Sequence, residues 1–432
     1  MSVAALRPGA AARRVARMGN LWHPFADMQA VSGAGPLVID RGEGVHVWDE
    51  EGNRYLDATA SLWFCNVGYG RQRIVDAAAE QMRRLPAYHT FGDLATRPSL
   101  ELADRLADLA PVDGSKVFLT SGGSDSIDTA GKLARRYWHR TGSPGRTIVI
   151  TRELGYHGMH AYGTSIAGIE ANLADYGNLV EQVVKVPWDS APALRTAIEA
   201  AGPDRVAAFF CEPVVGAGGV LAPPPGYLKE AREICRETGV LFVADEVITG
   251  FGRVGDWFAS TRFGLQPDLV TFAKGVTSGY LPLGGVLIAP HLAEPFWGGD
   301  GVMWRHGYTY SGHATACAAA LANLAIMDDE DLPARALGLE SDLEEALAPL
   351  AAHPLVSEVR AGLGVMAALQ IDPVALADDP SLPARANAAA RRAGVLTRAI
   401  TGGALQISPP LTIVAGDIDE MVTGFRAALD AI

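Results

Sequence analysis

From about residue 100 to 290, short apolar runs alternate with amphipathic segments. Residues 117–120, 147–150, 183–186, 207–211, 241–244, 269–272 and 285–288 have the length and β-branched or aromatic content of buried strands. Between them, apolar residues recur at helical spacing. Ile127, Ala130, Leu133, Ala134 and Tyr137 mark one stripe. The segment 227–238 reads as another helix and stops at Gly239, a residue suited to the left-handed backbone of a helix C-terminus. Strands alternating with helices predict an α/β fold: a mostly parallel seven-stranded sheet covered by helices. After about residue 315 the rhythm changes to long alanine- and leucine-rich helices, then short strands at 365–371 and 405–408, then a last helix. Near the N-terminus, 45–57 reads as a β-hairpin turning at Glu51-Gly52-Asn53. It is expected to join the C-terminal part in a smaller α+β domain. The predicted division is an arm and part of the small domain in 1–70, a large domain in 71–314, and the rest of the small domain in 315–432.

A chain of 432 residues fits roughly two or three domains. The net charge of −13 is spread along the sequence, which argues against a nucleic-acid or anionic-membrane partner. Cys65, Cys211, Cys235 and Cys317 lie far apart with no C-x-x-C spacing, so buried, reduced thiols in a cytoplasmic protein are expected. No apolar stretch reaches membrane-spanning length. The first twenty residues carry Arg7, Arg13, Arg14 and Arg17 without an acid, and read as a frayed arm.

Two apolar runs end in charges. Residues 240–243 lead to Ala244-Asp245-Glu246, and 269–273 lead to Lys274-Gly275. A buried charge is costly unless paired or used in chemistry, and strand ends in an open α/β sheet are where ligands bind. An acid and a lysine so placed fit either a structural ion pair or a pyridoxal phosphate site. In the second case the lysine forms the Schiff base and the acid keeps the pyridinium nitrogen protonated.

Other segments bear on that choice. Thr120-Ser121-Gly122-Gly123-Ser124 lies between a strand and a helix, where glycines and free N–H groups suit an anion, or else form an ordinary capped turn. It is not a Walker loop, because no Gly-Lys-Ser/Thr follows. Gly216-Ala217-Gly218-Gly219 has its third glycine misplaced for a dinucleotide loop. Tyr156 follows a strand by a short loop and could stack on a planar ring. His157 and His160 have no carboxylate or cysteine beside them in sequence, which speaks against a metal site. The stretch 307–313 is rich in hydroxyls and could donate to phosphate or form a polar loop. Arg398, in an apolar context, calls for an anionic partner, either structural or a substrate carboxylate.

Together these residues resemble the class III aminotransferases, a branch of the fold-type-I pyridoxal phosphate enzymes. The resemblance runs from Leu21-Trp22-His23-Pro24-Phe25 to Pro409-Pro410-Leu411. It is strongest at Ala244-Asp245-Glu246-Val247-Ile248-Thr249-Gly250-Phe251-Gly252-Arg253 with Ala273-Lys274-Gly275. Within the class, residues 61–70, 212–220 and 306–313 are most similar to the ω-transaminases, or amine:pyruvate aminotransferases. The resemblance implies Lys274 as the Schiff-base lysine and Asp245 as the pyridinium partner. It also implies Tyr156 and Val247 on opposite faces of the cofactor, with His157 among the cofactor contacts. Glu212 would order Asp245 and the ring substituents. Gly123 and Ser124 would hold the phosphate, joined by Tyr308 and Thr309 from the neighbouring subunit of a homodimer. Phe25, Trp63 and Arg398 would line the substrate pocket, with Phe91 reaching in from the partner chain.

Two positions depart from the pattern. Ile127 stands where relatives more often have a polar residue, so the phosphate turn's local hydrogen bonds are expected to differ. Ala314 follows His313 where proline is common. A glutamate that relatives using 2-oxoglutarate commonly carry is Ala217 here, which favours pyruvate as the acceptor. The alternatives are another class III substrate group (diamine, β-alanine, taurine, or 2-oxoglutarate as acceptor), a pyridoxal phosphate mutase or racemase, and a non-catalytic cofactor-binding regulator.

Overall fold

The computed structural model describes residues 20–177, 179–298 and 301–432. Most of the expected N-terminal arm lies outside these residues. Three strands open the fold: β1 (Ile39–Glu43), β2 (His46–Asp49) and β3 (Arg54–Asp57). Seven more follow: β4 (Lys116–Thr120), β5 (Ile148–Arg152), β6 (Val183–Val186), β7 (Val206–Cys211), β8 (Leu241–Asp245), β9 (Leu269–Phe272) and β10 (Gly284–Ile288). They make one sheet in the order β4-β10-β9-β8-β7-β5-β6. All run parallel except β10, which is antiparallel to both β4 and β9. A parallel return needs a helical crossover, and only a 3-10 turn, Lys274–Val276, separates β9 from β10. β7, β8 and β9 are buried at every position, which explains their unbroken apolar runs. The mostly parallel seven-stranded sheet expected from the sequence is therefore present.

The chain's later strands are β11 (Val356–Leu363), β12 (Met366–Ile371), β13 (Val395–Leu396), β14 (Ala399–Ile400) and β15 (Ala404–Ile407). β13 adds in parallel to β3, so one four-stranded sheet, β1-β2-β3-β13, draws on both chain ends. β11, β12, β15 and β14 form a second, antiparallel sheet. The predicted hairpin gains β1 as a third strand; its Ile-Asp-Arg-Gly-Glu sequence is largely exposed and shows no apolar alternation.

A fully buried cation fastens these layers together. Arg253 donates to the carbonyls of Pro409 (2.7 Å) and Val365 (3.1 Å) and to Asn66 Oδ1 (2.6 Å). Asn66 in turn donates to the Phe251 carbonyl at 2.7 Å. No carboxylate pairs with Arg253 among the described residues, and burial pulls its guanidinium down to about 10.

Candidate active site

The C-terminal ends of the parallel strands converge on a cavity of about 380 Å³. β8 delivers Asp245, β9 leads into Lys274, β7 into Glu212, β4 into the glycine turn, and β5 into the loop bearing Tyr156. The open-sheet rule for ligand sites is thus obeyed.

Asp245 is buried, and its bonds are divided between its two oxygens. Oδ1 accepts from Thr271 Oγ1 at 3.0 Å and from the Val247 amide at 3.2 Å. Oδ2 accepts from His157 Nδ1 at 2.7 Å. A carboxylate offers only acceptors, so that histidine nitrogen carries the proton. With about two lone pairs per oxygen, Oδ1 is filled and Oδ2 can accept one more donor. Thr271 is the one polar residue of β9 and lies directly beside Asp245 in the sheet register. Its role was not read from the sequence, although a lone threonine in an apolar strand is the signal that could have found it.

Lys274 sits at the turn after β9 with a left-handed backbone (φ 45°). Among the described residues its ammonium has no carboxylate partner, so Asp245 and Lys274 are not an ion pair. Burial pulls Lys274 down to about 8, Asp245 opposes that, and the charge of Arg398 adds to it.

Glu212 does not hydrogen-bond to Asp245. Its oxygens accept the backbone N–H groups of Tyr156 and Gly216, each at 2.9 Å. It ties down the loop that carries Tyr156 and makes no hydrogen bond to the acid itself. Burial raises the Glu212 carboxyl, His157 opposes the rise, and Asp245 adds to it.

The helix Gly123–Arg140 begins at the glycine turn. Gly123, Ser124 and Asp125 donate their backbone N–H to nothing among the described residues, leaving the first turn open to an anion. Gly123 is required by packing: a Cβ there would lie 2.8 Å from Val247 Cγ1. Ser124 Oγ accepts the Met159 amide at 3.1 Å, joining the turn to the Tyr156 loop. Ile127 is buried and borders the cavity, while Ser126 bonds back to the Gly122 carbonyl at 2.9 Å. The fold also brings Asp125 and Asp128 to 3.6 Å from His160, carboxylates that are not its sequence neighbours. Among the described residues no three metal ligands converge.

The remaining expected site residues are more dispersed. Trp63 is 2% exposed and packs with Val214, Val220 and Ile248, while its neighbour Phe64 borders the cavity. Phe25 and Phe91 are exposed at 74% and 51% in the single chain. Thr309 is exposed too, and Tyr308 donates its hydroxyl to the Asp125 carbonyl at 3.0 Å. Arg398 is partly buried, with no carboxylate partner among the described residues.

The cavity's donor set suits pyridoxal phosphate: a helix start for the phosphate, an aromatic wall, a carboxylate oxygen with one acceptor position left, and a lysine without a partner among the described residues. The family model described as aminotransferase class-III matches residues 28–429. This chain is a class III aminotransferase. Its cofactor is pyridoxal phosphate, and its substrates are an amine and a keto acid. The putrescine–pyruvate aminotransferase of Pseudomonas aeruginosa is 40% identical over 94% of this chain and 93% of its own. A thermostable (S)-enantioselective ω-transaminase from Thermomicrobium roseum superposes with a TM-score of 0.92 at 40% identity, covering 97% of each chain. An amine transaminase from an uncultivated Pseudomonas species, solved with pyridoxal phosphate bound, matches with a TM-score of 0.89 at 39% identity over 96% of this chain and 99% of that one. The aminotransferase is ω-transaminase-like in sequence and in fold.

Proposed function

We propose that this aminotransferase moves an amino group from a primary amine or ω-amino acid to pyruvate by alternating half-reactions. The cofactor, when bound, supplies the electron sink and carries the amino group between the two substrates. Asp245 holds a proton at the cofactor's ring nitrogen, using the acceptor position that His157, Thr271 and the Val247 amide leave on Oδ2. His157 and Thr271 position that carboxylate. Lys274 would hold the cofactor and serve as the base that takes a proton from the substrate carbon and later returns it. A lysine pulled down to about 8 is suited to that work near neutral pH. Tyr156 and Val247 cover the two faces of the ring, and Gly123 and Ser124 bind the phosphate. Tyr308 and Thr309 serve the phosphate of a second copy in a homodimer, and Phe91 enters that copy's substrate pocket. Phe25, Trp63 and Arg398, which lie outside the cavity's immediate lining, would complete the substrate pocket. The division at residues 70 and 314 then separates a large cofactor-binding domain from a small one. Four buried, unpaired cysteines fit a cytoplasmic setting.

The observation that carries the acceptor assignment is Arg398, a guanidinium with no acid paired to it among the described residues. The Ala217 carbonyl accepts the Thr401 amide at 3.3 Å, so Ala217 adjoins the Arg398 segment but brings no carboxylate to it. The pyruvate in the Pseudomonas aeruginosa relative's name supports the same acceptor. The test is Arg398→Ala. Pyruvate use should fall selectively while a carboxylate-free amine still reacts, and equal losses in both half-reactions refute the assignment. A screen against pyruvate and 2-oxoglutarate, following alanine and glutamate separately, checks the acceptor directly.

A further inference from the structure

Gln406 is the only polar residue of β15 and is fully buried between Leu405 and Ile407. A buried amide must find partners for its carbonyl and its NH₂. Its Oε1 accepts from Arg398 Nε at 2.8 Å, and its Nε2 donates to Ser408 Oγ at 2.7 Å. Arginine can only donate, so the amide's orientation is fixed by its partner. The backbones are joined as well: the Gln406 amide donates to the Arg398 carbonyl at 3.0 Å, and Thr397 Oγ1 donates to the Gln406 carbonyl at 2.7 Å. Ser408, also buried, hands the chain on to the Thr59 carbonyl at 3.4 Å. Arg398 is therefore gripped through Nε alone. Among the described residues its two terminal nitrogens bond to nothing.

We infer that Gln406 is a positioning and specificity residue: a neutral clamp that aims the free end of Arg398 at a substrate carboxylate. The inference rests on the reading of Arg398 as the carboxylate binder. A glutamine suits the task because it orients the guanidinium without neutralising it. A glutamate at the same place would fill the arginine with an internal partner, and every keto acid would have to displace it. An apolar residue would leave Nε without its acceptor and the side chain free to turn.

The test uses the purified holoenzyme and follows the two half-reactions separately, with 1-phenylethylamine as a carboxylate-free donor and pyruvate as acceptor. Gln406→Leu should raise KM for pyruvate and for alanine by about tenfold or more, the worth of one hydrogen bond to a charged group, with kcat little changed. The 1-phenylethylamine half-reaction should stay within about twofold, a split that general loosening of the small domain would not produce. The near-isosteric Gln406→Glu should raise KM for pyruvate at least as much, and it decides the matter if the leucine variant fails to fold. Unchanged pyruvate KM in Gln406→Glu, or equal effects on both half-reactions, overturns the inference. Arg398→Ala run alongside separates the two failures. If it loses pyruvate selectively while the Gln406 variants do not, the clamp is wrong and the carboxylate site stands. If Arg398→Ala is not selective, both fall.

Discussion

Removing the cofactor and titrating the empty enzyme should show Lys274 as a neutral amine two orders of magnitude more often than an exposed lysine. Burial takes its ammonium from the ordinary 10.5 down to about 8, a preference for the uncharged form of about 3 kcal/mol. At pH 7.5 the neutral fraction becomes about a quarter, where an ordinary lysine offers about one part in a thousand; covalent recapture of added cofactor should be faster in roughly that proportion. The measurement is the rate at which the apoenzyme regains the visible absorption of bound cofactor, recorded from pH 6 to 10 with excess cofactor. The rate should climb and level off through about pH 8.

The sign of each neighbour's influence gives a sharper version. Asp245 favours the ammonium and Arg398 disfavours it. Asp245→Asn should therefore move the midpoint down, and Arg398→Ala should move it up. The same depression makes a stability statement. Between about pH 8 and 10.5 the unfolded chain holds a proton that the folded apoenzyme has lost, so apoenzyme stability should rise with pH across that window. The cost is fully present below it. A recapture midpoint near 10 in the parent enzyme, or both variants shifting the same way, would refute the reasoning.

Three further outcomes are expected. Asp245→Asn should lower kcat on the order of 10²–10³-fold in single turnovers, because a neutral amide cannot balance a charged ring nitrogen; a loss below about tenfold would contradict its assigned place. Gly158→Ala should weaken cofactor retention about tenfold in apoenzyme titrations. Its φ of 81° disfavours a side chain, and the new Cβ would lie 2.4 Å from Ser124 Oγ and 2.9 Å from Ser124 Cα. Asn66→Ala should cost about 2–3 kcal/mol in urea unfolding, since it strips an acceptor from the buried Arg253 and a donor from the Phe251 carbonyl. An unchanged urea midpoint would remove Asn66 from the joint between the layers.

Much of this was legible because the large domain obeys local rules. Strands buried on both faces must be continuously apolar, so β7, β8 and β9 announced themselves, and a charge at the end of such a run is either paired within the fold or kept for a ligand. The small domain was harder to read. β1 is an exposed edge strand, and β14 is only two residues, too short for any periodicity to register. Side chains that act through long-range register were also hidden. Thr271 meets Asp245 only because β8 and β9 pair in one register, and Gln406 meets Arg398 only because β14 turns back onto β15. Residues expected to act across a subunit boundary, such as Phe91 and Thr309, stay exposed in the single chain.

The distribution of hydrogen bonds explains why this arrangement of charges is reactive rather than merely stable. Each buried anion around the cavity is engaged by the protein: Asp245 by His157, Thr271 and the Val247 amide, and Glu212 by the amides of Tyr156 and Gly216. Two cations are treated oppositely. Among the described residues Lys274 has no acidic partner, and Arg398 is held by one nitrogen with the rest of its donors left over. Together with the open first turn at Gly123, the site offers positive charge and N–H groups to whatever enters, while its negative charge is already committed except for one acceptor position on Asp245. A structural ion-pair cluster would match acids to bases internally and gain little net stability. Here the mismatch is preserved by burial, which leaves places for anions and for one donor that the protein itself does not supply.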